Sequence, residues 1–185
     1  MSQTIHQNNF MKEPTFLKTI RVGNNPCLEE ILERKRHNSF WIDKAVIPAI
    51  QDCKVSDTQV EIDLFCSPCR EITGDPIPSM REIYSSILSA GFTLCTVEMG
   101  LLAYPLKPNV DLYPQERIRV AMEPLLSEGR NTVLCFSESI PMDVDVENRR
   151  IFTHPPIIVL ELASYNPDMH GIGCWIFARQ HRRTS

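Results

Sequence analysis

A chain of 185 residues, 43% apolar and 23% charged, carries enough hydrophobic material for the core of one ordinary domain and is not the composition of a disordered protein. A formal net charge of −4 argues against nucleic acid as a partner, because phosphate binders present a basic face. No apolar run approaches the roughly 20 residues of a membrane span, and residues 1–12 lack the apolar segment of a signal peptide, so the reading is cytoplasmic, without direct membrane insertion.

The seven cysteines are odd in number and several fall at apolar positions of predicted strands, as free thiols of a reducing compartment do. Residues 1–12 read as a mobile arm, 13–180 as one globular domain and 181–185 as a basic tail.

In chain order, Asn25 and Pro26 suit the start of a helix whose stripe is Leu28, Ile31 and Leu32. Glu29 and Glu30 lie at its beginning and Arg34, Lys35, Arg36 and His37 at its end, as the helix dipole favours. A second helix is expected from Ser39 or Asp43, carrying Phe40, Trp41, Val46, Ile47 and Ile50 and bent by Pro48. Val60, Ile62 and Leu64 alternate with Glu61 and Asp63 as a half-buried strand. Ser79 and Glu82 have capping-box spacing ahead of the stripe Met80, Ile83, Tyr84, Ile87 and Leu88, which Gly91 ends.

Phe92 to Leu106 reads as strand with a bulge or turn at Gly100, and Pro105, Pro108 and Pro114 as a loop. Ile118, Ala121, Met122 and Leu125 share one face of an expected helix distorted by Pro124 and ended by Gly129. Thr132–Ser137, Ile151–Ala163 and Gly171–Arg179 follow as strands. The expected fold is α+β: a two-layer sandwich with a mostly antiparallel sheet of about five strands, a C-terminal three-strand meander, and helices on one face. A three-layer α/β arrangement is the alternative.

The sharpest local motif is Cys66-Ser67-Pro68-Cys69 after a strand. Over about a dozen residues it resembles the thioredoxin-like oxidoreductases, and the resemblance implies an attacking thiol at Cys66 and a resolving thiol at Cys69. It also implies a cis-proline opposite the motif, for which His154-Pro155-Pro156-Ile157 is the candidate. The helix that should carry the motif is cut short by Gly74-Asp75-Pro76, and the tryptophan and glycine common around it are missing. The same pair with Cys53 and a histidine is an alternative zinc site, although a structural site usually has a second knuckle. The preferred reading is a strand-end turn with both thiols packed inward, no metal and no cofactor.

Ser137 lacks the glycines of a nucleophile elbow, and Cys174 with His154 or His170 sits in a pattern that reads as a strand covered on both faces. The seven glycines form no phosphate-cradling loop. Asp143-Val144-Asp145-Val146-Glu147 lacks the glycine and final glutamate of a calcium loop and reads as a hairpin tip. Glu61 and Asp63 share a strand face that belongs to solvent or to a partner.

What remains distinctive is large apolar residues that one core cannot absorb. Phe40 and Trp41 are adjacent, and on a helix they would diverge by about 100°. Trp175 and Phe177 point opposite to Ile176. These four are interface candidates. By analogy of class with small adaptors and secretion-type chaperones, the chain is expected to be a non-enzymatic binding subunit in a stable hetero-complex with another protein.

Overall fold

The structure, a computed structural model, describes residues 11–24, 27–35, 40–104, 117–139, 142–145, 150–153 and 157–181. The α+β class holds, but the sheet is larger and differently ordered than expected. Seven of its eight strands run in the order β1 (Thr15–Val22), β3 (Val60–Pro68), β10 (Cys174–Gln180), β4 (Ile118–Val120), β6 (Arg130–Ser139), β9 (Ile157–Ser164) and β2 (Phe40–Ile42). The eighth, β5 (Leu125–Ser127), pairs with β6. The sheet is mixed: β10 with β4 and β9 with β2 are parallel, and the other pairs are antiparallel. A separate two-stranded ribbon joins β7 (Met142–Asp145) to β8 (Arg150–Thr153), so the single strand expected over Ile151–Ala163 is two, β8 and β9.

The expected meander is overturned. β9 pairs with β6, but β10 lies between β3 and β4, in the middle of the sheet. The reason is written in β10 itself. Cys174, Ile176 and Ala178 enter one apolar cluster while Trp175 and Phe177 enter another, and a strand so covered suits an interior position.

Helices accordingly pack on both faces rather than one. The first cluster holds Leu28, Ile31 and Leu32 of α1 (Leu28–Lys35), Val46 and Ile50 of α2 (Val46–Ile50), and Val97 and Leu101 of α5 (Val97–Ala103). The second holds Ile72 of α3 (Cys69–Thr73) and Met80, Ile83, Tyr84 and Ile87 of α4 (Met80–Ser89). In α4 the Ser79 side chain accepts the Glu82 N–H and the Glu82 carboxylate accepts the Ser79 N–H, the expected capping box. Leu88, assigned to the same stripe, instead stands half-exposed. Tyr84 donates from its hydroxyl to the Met122 carbonyl at 2.8 Å and Trp175 donates from its indole N–H to the Gly171 carbonyl at 2.9 Å, so the polar tips of two large core residues are satisfied.

Three local readings are corrected. Phe40 and Trp41 lie on β2, not on a helix. Parallel pairing with Ile158–Leu160 holds them extended, and alternation sends Phe40 inward against the rings of Tyr104 and Phe136 while Trp41 faces out. The strand expected from Phe92 survives only as bridges at Thr93 and Cys95, after which α5 begins. There Thr96 Oγ1 accepts the Met99 N–H as an N-cap, and Gly100 lets the helix lie close to the sheet: a Cβ at that position would come within 2.9 Å of Leu134 Cδ1. The helix expected over Ile118–Leu125 is β4 and β5, because pairing with β10 and β6 overrides the helical spacing. Gly129 then serves a hairpin turn rather than a helix end, with Glu128 and Gly129 both at positive φ (50° and 74°).

Asn25, Pro26, Arg36, His37, Pro105, Pro108, Pro114, His154-Pro155-Pro156, most of the arm and most of the tail lie outside the described residues. At the inner end of the arm, the Lys12 N–H donates to the Glu71 carbonyl at 3.0 Å.

Candidate functional site

At one end of β1, β3 and β10 the second apolar cluster stops and a polar shelf begins. The boundary is Arg179, whose guanidinium lies 4.8 Å over the ring of Phe65 and 5.1 Å over that of Phe92. The period-2 alternation that points Phe65 and Phe177 to this face points Asp63, Glu61, Arg179 and His181 to it as well. Register does the rest. Thr19 and Arg179 both stand opposite Asp63, Arg21 stands opposite Glu61, and the His181 N–H donates to the Glu61 carbonyl at 3.0 Å. On the middle strand the Asp63 carboxylate thus meets side-chain donors from both sides, and the Glu61 carboxylate meets Arg21 from β1.

Asp63 is held from two sides. Thr19 Oγ1 donates to its Oδ1 at 2.6 Å, and His181 Nδ1 lies 2.8 Å from Oδ1 and 3.0 Å from Oδ2. Burial pushes the Asp63 carboxyl up, but the bonds from Thr19 and His181 and the charges of His181 and Arg179 outweigh it and leave the group below its ordinary value. Ionised, Asp63 only accepts, so His181 Nδ1 carries a proton and donates to it. Arg21 pairs with Glu61 at 2.9 Å. Beside these residues opens a cleft of about 430 Å³ lined by Arg21, Gln59, Val60, Glu61, Gln180 and His181.

The sequence-predicted residues fall elsewhere. Cys66 lies in the first apolar cluster and Cys69 in the second, so the motif straddles the sheet and its two thiols are separately buried. Cys66 is inside β3, and it is Cys69 that opens the short α3, its N–H donating to the Gly173 carbonyl at 2.9 Å. All seven cysteines are free thiols. Cys53 is half-buried after α2, against the first cluster. Among the described residues no three His, Cys, Asp or Glu side chains gather as metal ligands would.

Of the four interface candidates, Phe40, Trp175 and Phe177 are buried within the chain itself, Trp175 and Phe177 in the α3–α4 cluster that the sequence pattern left unassigned. Trp41 is 63% exposed. Ser137 sits on β6 opposite Val159, and Cys174 packs in the first cluster. Cys135 stands in a row between Arg119 and Glu161; burial pushes its thiol up to about 12, the guanidinium of Arg119 opposing and the carboxylate of Glu161 adding. That is a structural thiol rather than a nucleophile.

Sequence reasoning missed Thr19, Arg21 and His181. The signal lay in the continued alternation Trp175, Phe177, Arg179, His181, which carries the strand pattern one step past the point where a tail was expected.

No protein-family model, curated protein or solved structure matches the chain. Among the described residues no helix is long and apolar enough to cross a membrane.

Proposed function

We propose that residues 13–180 form a binding module without catalytic activity of its own, an adaptor or chaperone-like subunit that holds another protein in a stable cytoplasmic hetero-complex. Trp41 carries this reading. It is 63% exposed on β2, and β2 is the terminal strand of the sheet among the described residues, paired on one side to β9. Its cross-strand neighbour Val159 is only partly buried, so the indole has an apolar side chain beside it. A solvated tryptophan offers a large rigid surface at small entropic cost, which is why this residue is enriched where binding energy concentrates. Thiol exchange or a zinc site built on Cys66 and Cys69 gains no support from thiols that face different clusters.

The test places a photo-crosslinking residue at position 41 in the native cell and identifies what it captures. One stoichiometric partner is expected, and with purified components Trp41→Glu should weaken its binding by about 30-fold or more, the scale of an interface hot spot. Trp41→Phe should retain most of the affinity. Equal binding by Trp41→Glu would overturn the proposal.

A further inference from the structure

The cleft beside the polar shelf has a lining that goes beyond a protein-binding role. We propose that it binds a small, neutral, polyhydroxylated molecule of monosaccharide size.

Size is the first argument: about 430 Å³ lies in the range of small-molecule sites and suits a ring bearing several hydroxyls. Chemistry is the second. Apart from Val60, the lining consists of planar polar groups: a guanidinium, a carboxylate, two carboxamides and an imidazole. The guanidinium gives only hydrogen bonds, the carboxylate only accepts them, and each carboxamide does both from adjacent atoms. Neighbouring hydroxyls, each donor and acceptor at once, are the ligand groups that match such a set. Charge is the third. Arg21 and Glu61 are bridged at 2.9 Å and offset each other, so neither charge is left over for an ionic ligand. An ionic ligand would enter without a compensating charge, whereas a neutral one incurs no such cost.

His181 makes the site specific rather than merely polar. The Thr19–Asp63 pair fixes its ring through Nδ1 at 2.8 Å, and Arg179 stands beside the same carboxylate. The imidazole therefore meets the cleft in one orientation, with Nδ1 committed to Asp63 and Nε2 left to meet a ligand hydroxyl, which can give or accept a hydrogen bond.

The experiment follows the His181 ring resonances by NMR in the full chain while glucose, galactose, mannose, ribose or myo-inositol is added to tens of millimolar. Sodium phosphate and citrate serve as anionic controls. At least one of the five polyols should shift His181 saturably. Gln59→Ala and Gln180→Ala should each weaken that response about threefold to tenfold, the worth of one hydrogen bond, and Leu126→Ala, on β5, should leave it unchanged. Thermal melts of each variant separate lost binding from lost folding. The proposal is overturned if none of the five shifts His181, if phosphate or citrate binds more tightly than every polyol, or if folded Gln59→Ala and Gln180→Ala respond as the parent does.

Discussion

The Glu98 carboxylate, fully buried at the start of α5, accepts the backbone N–H of Gly23 at 3.0 Å with one oxygen and that of Ser56 at 2.9 Å with the other. It ties the end of β1 to the segment before β3. Removing it strands two amide donors. Glu98→Ala should cost about 2–5 kcal/mol, and Glu98→Gln less, since a carboxamide oxygen still accepts one of them. Urea unfolding measures both, and an alanine variant within about 0.5 kcal/mol of the parent would show that water replaces the carboxylate without loss.

Gly23 itself makes a second prediction. Its φ is +78°, and a Cβ there would sit 2.4 Å from the Thr58 carbonyl oxygen. Backbone cannot retreat as a flexible side chain can. Gly23→Ala should therefore lose about 2 kcal/mol or more, combining left-handed strain with the clash. Gly129 has a similar φ of +74° with nothing within 4 Å of its Cβ position, so Gly129→Ala is the control and should cost less. Equal losses in the two variants would remove the steric part of the argument.

Asp63 sets a pH dependence. Its carboxyl lies below the ordinary value in the fold, so the unfolded chain binds a proton there first as pH falls. The stabilisation is thus complete at neutral pH, begins to fade as pH drops towards 3.8, and is gone below the folded value. Asp63→Asn should be less stable than the parent at pH 7, with the gap narrowing by pH 3. Denaturant melts at pH 7, 5 and 3 report the gap directly. A gap that stays constant would mean that Thr19 and His181 do not favour the ionised form.

The thiols should separate by environment. Cys27 is exposed and should react with a disulfide reagent at once. Cys95 and Cys135, both pushed up to about 12 by burial, should react only on unfolding. Mild oxidation of the native protein should leave Cys66 and Cys69 unlinked, because they face different clusters, whereas oxidation in denaturant permits the pair. Peptide mass mapping distinguishes the cases. A native Cys66–Cys69 disulfide would reopen the redox reading.

Elements whose residues carry their own reason were legible in the sequence. The capping box of α4, the Leu28-Ile31-Leu32 stripe of α1 and the alternation of β3 all appear where local pattern places them. Those set by distant partners were not. Ile118 and Met122 have helical spacing, yet Ile118 is drawn into a strand by Cys174 and Phe136, which lie later in the chain. Trp41 looked like part of a helix until β9 supplied a parallel neighbour. The polar shelf was half visible: Glu61 and Asp63 were seen to share a face, but their donors on β1 and just past the end of β10 become neighbours only through register.

The central place of β10 has a consequence for how the chain reaches this state. Among the described residues it follows every other strand in sequence, yet it contributes to both apolar clusters and joins β3 to β4. During synthesis neither side of the sheet can be completed until residues 174–180 have left the ribosome, however well α1 or α4 has formed. Until then the nascent chain exposes two unfinished hydrophobic surfaces and the open edges of β3 and β4. Insertion of one seven-residue strand then closes both, so the protein should pass from aggregation-prone to native in a single late step rather than by gradual accretion.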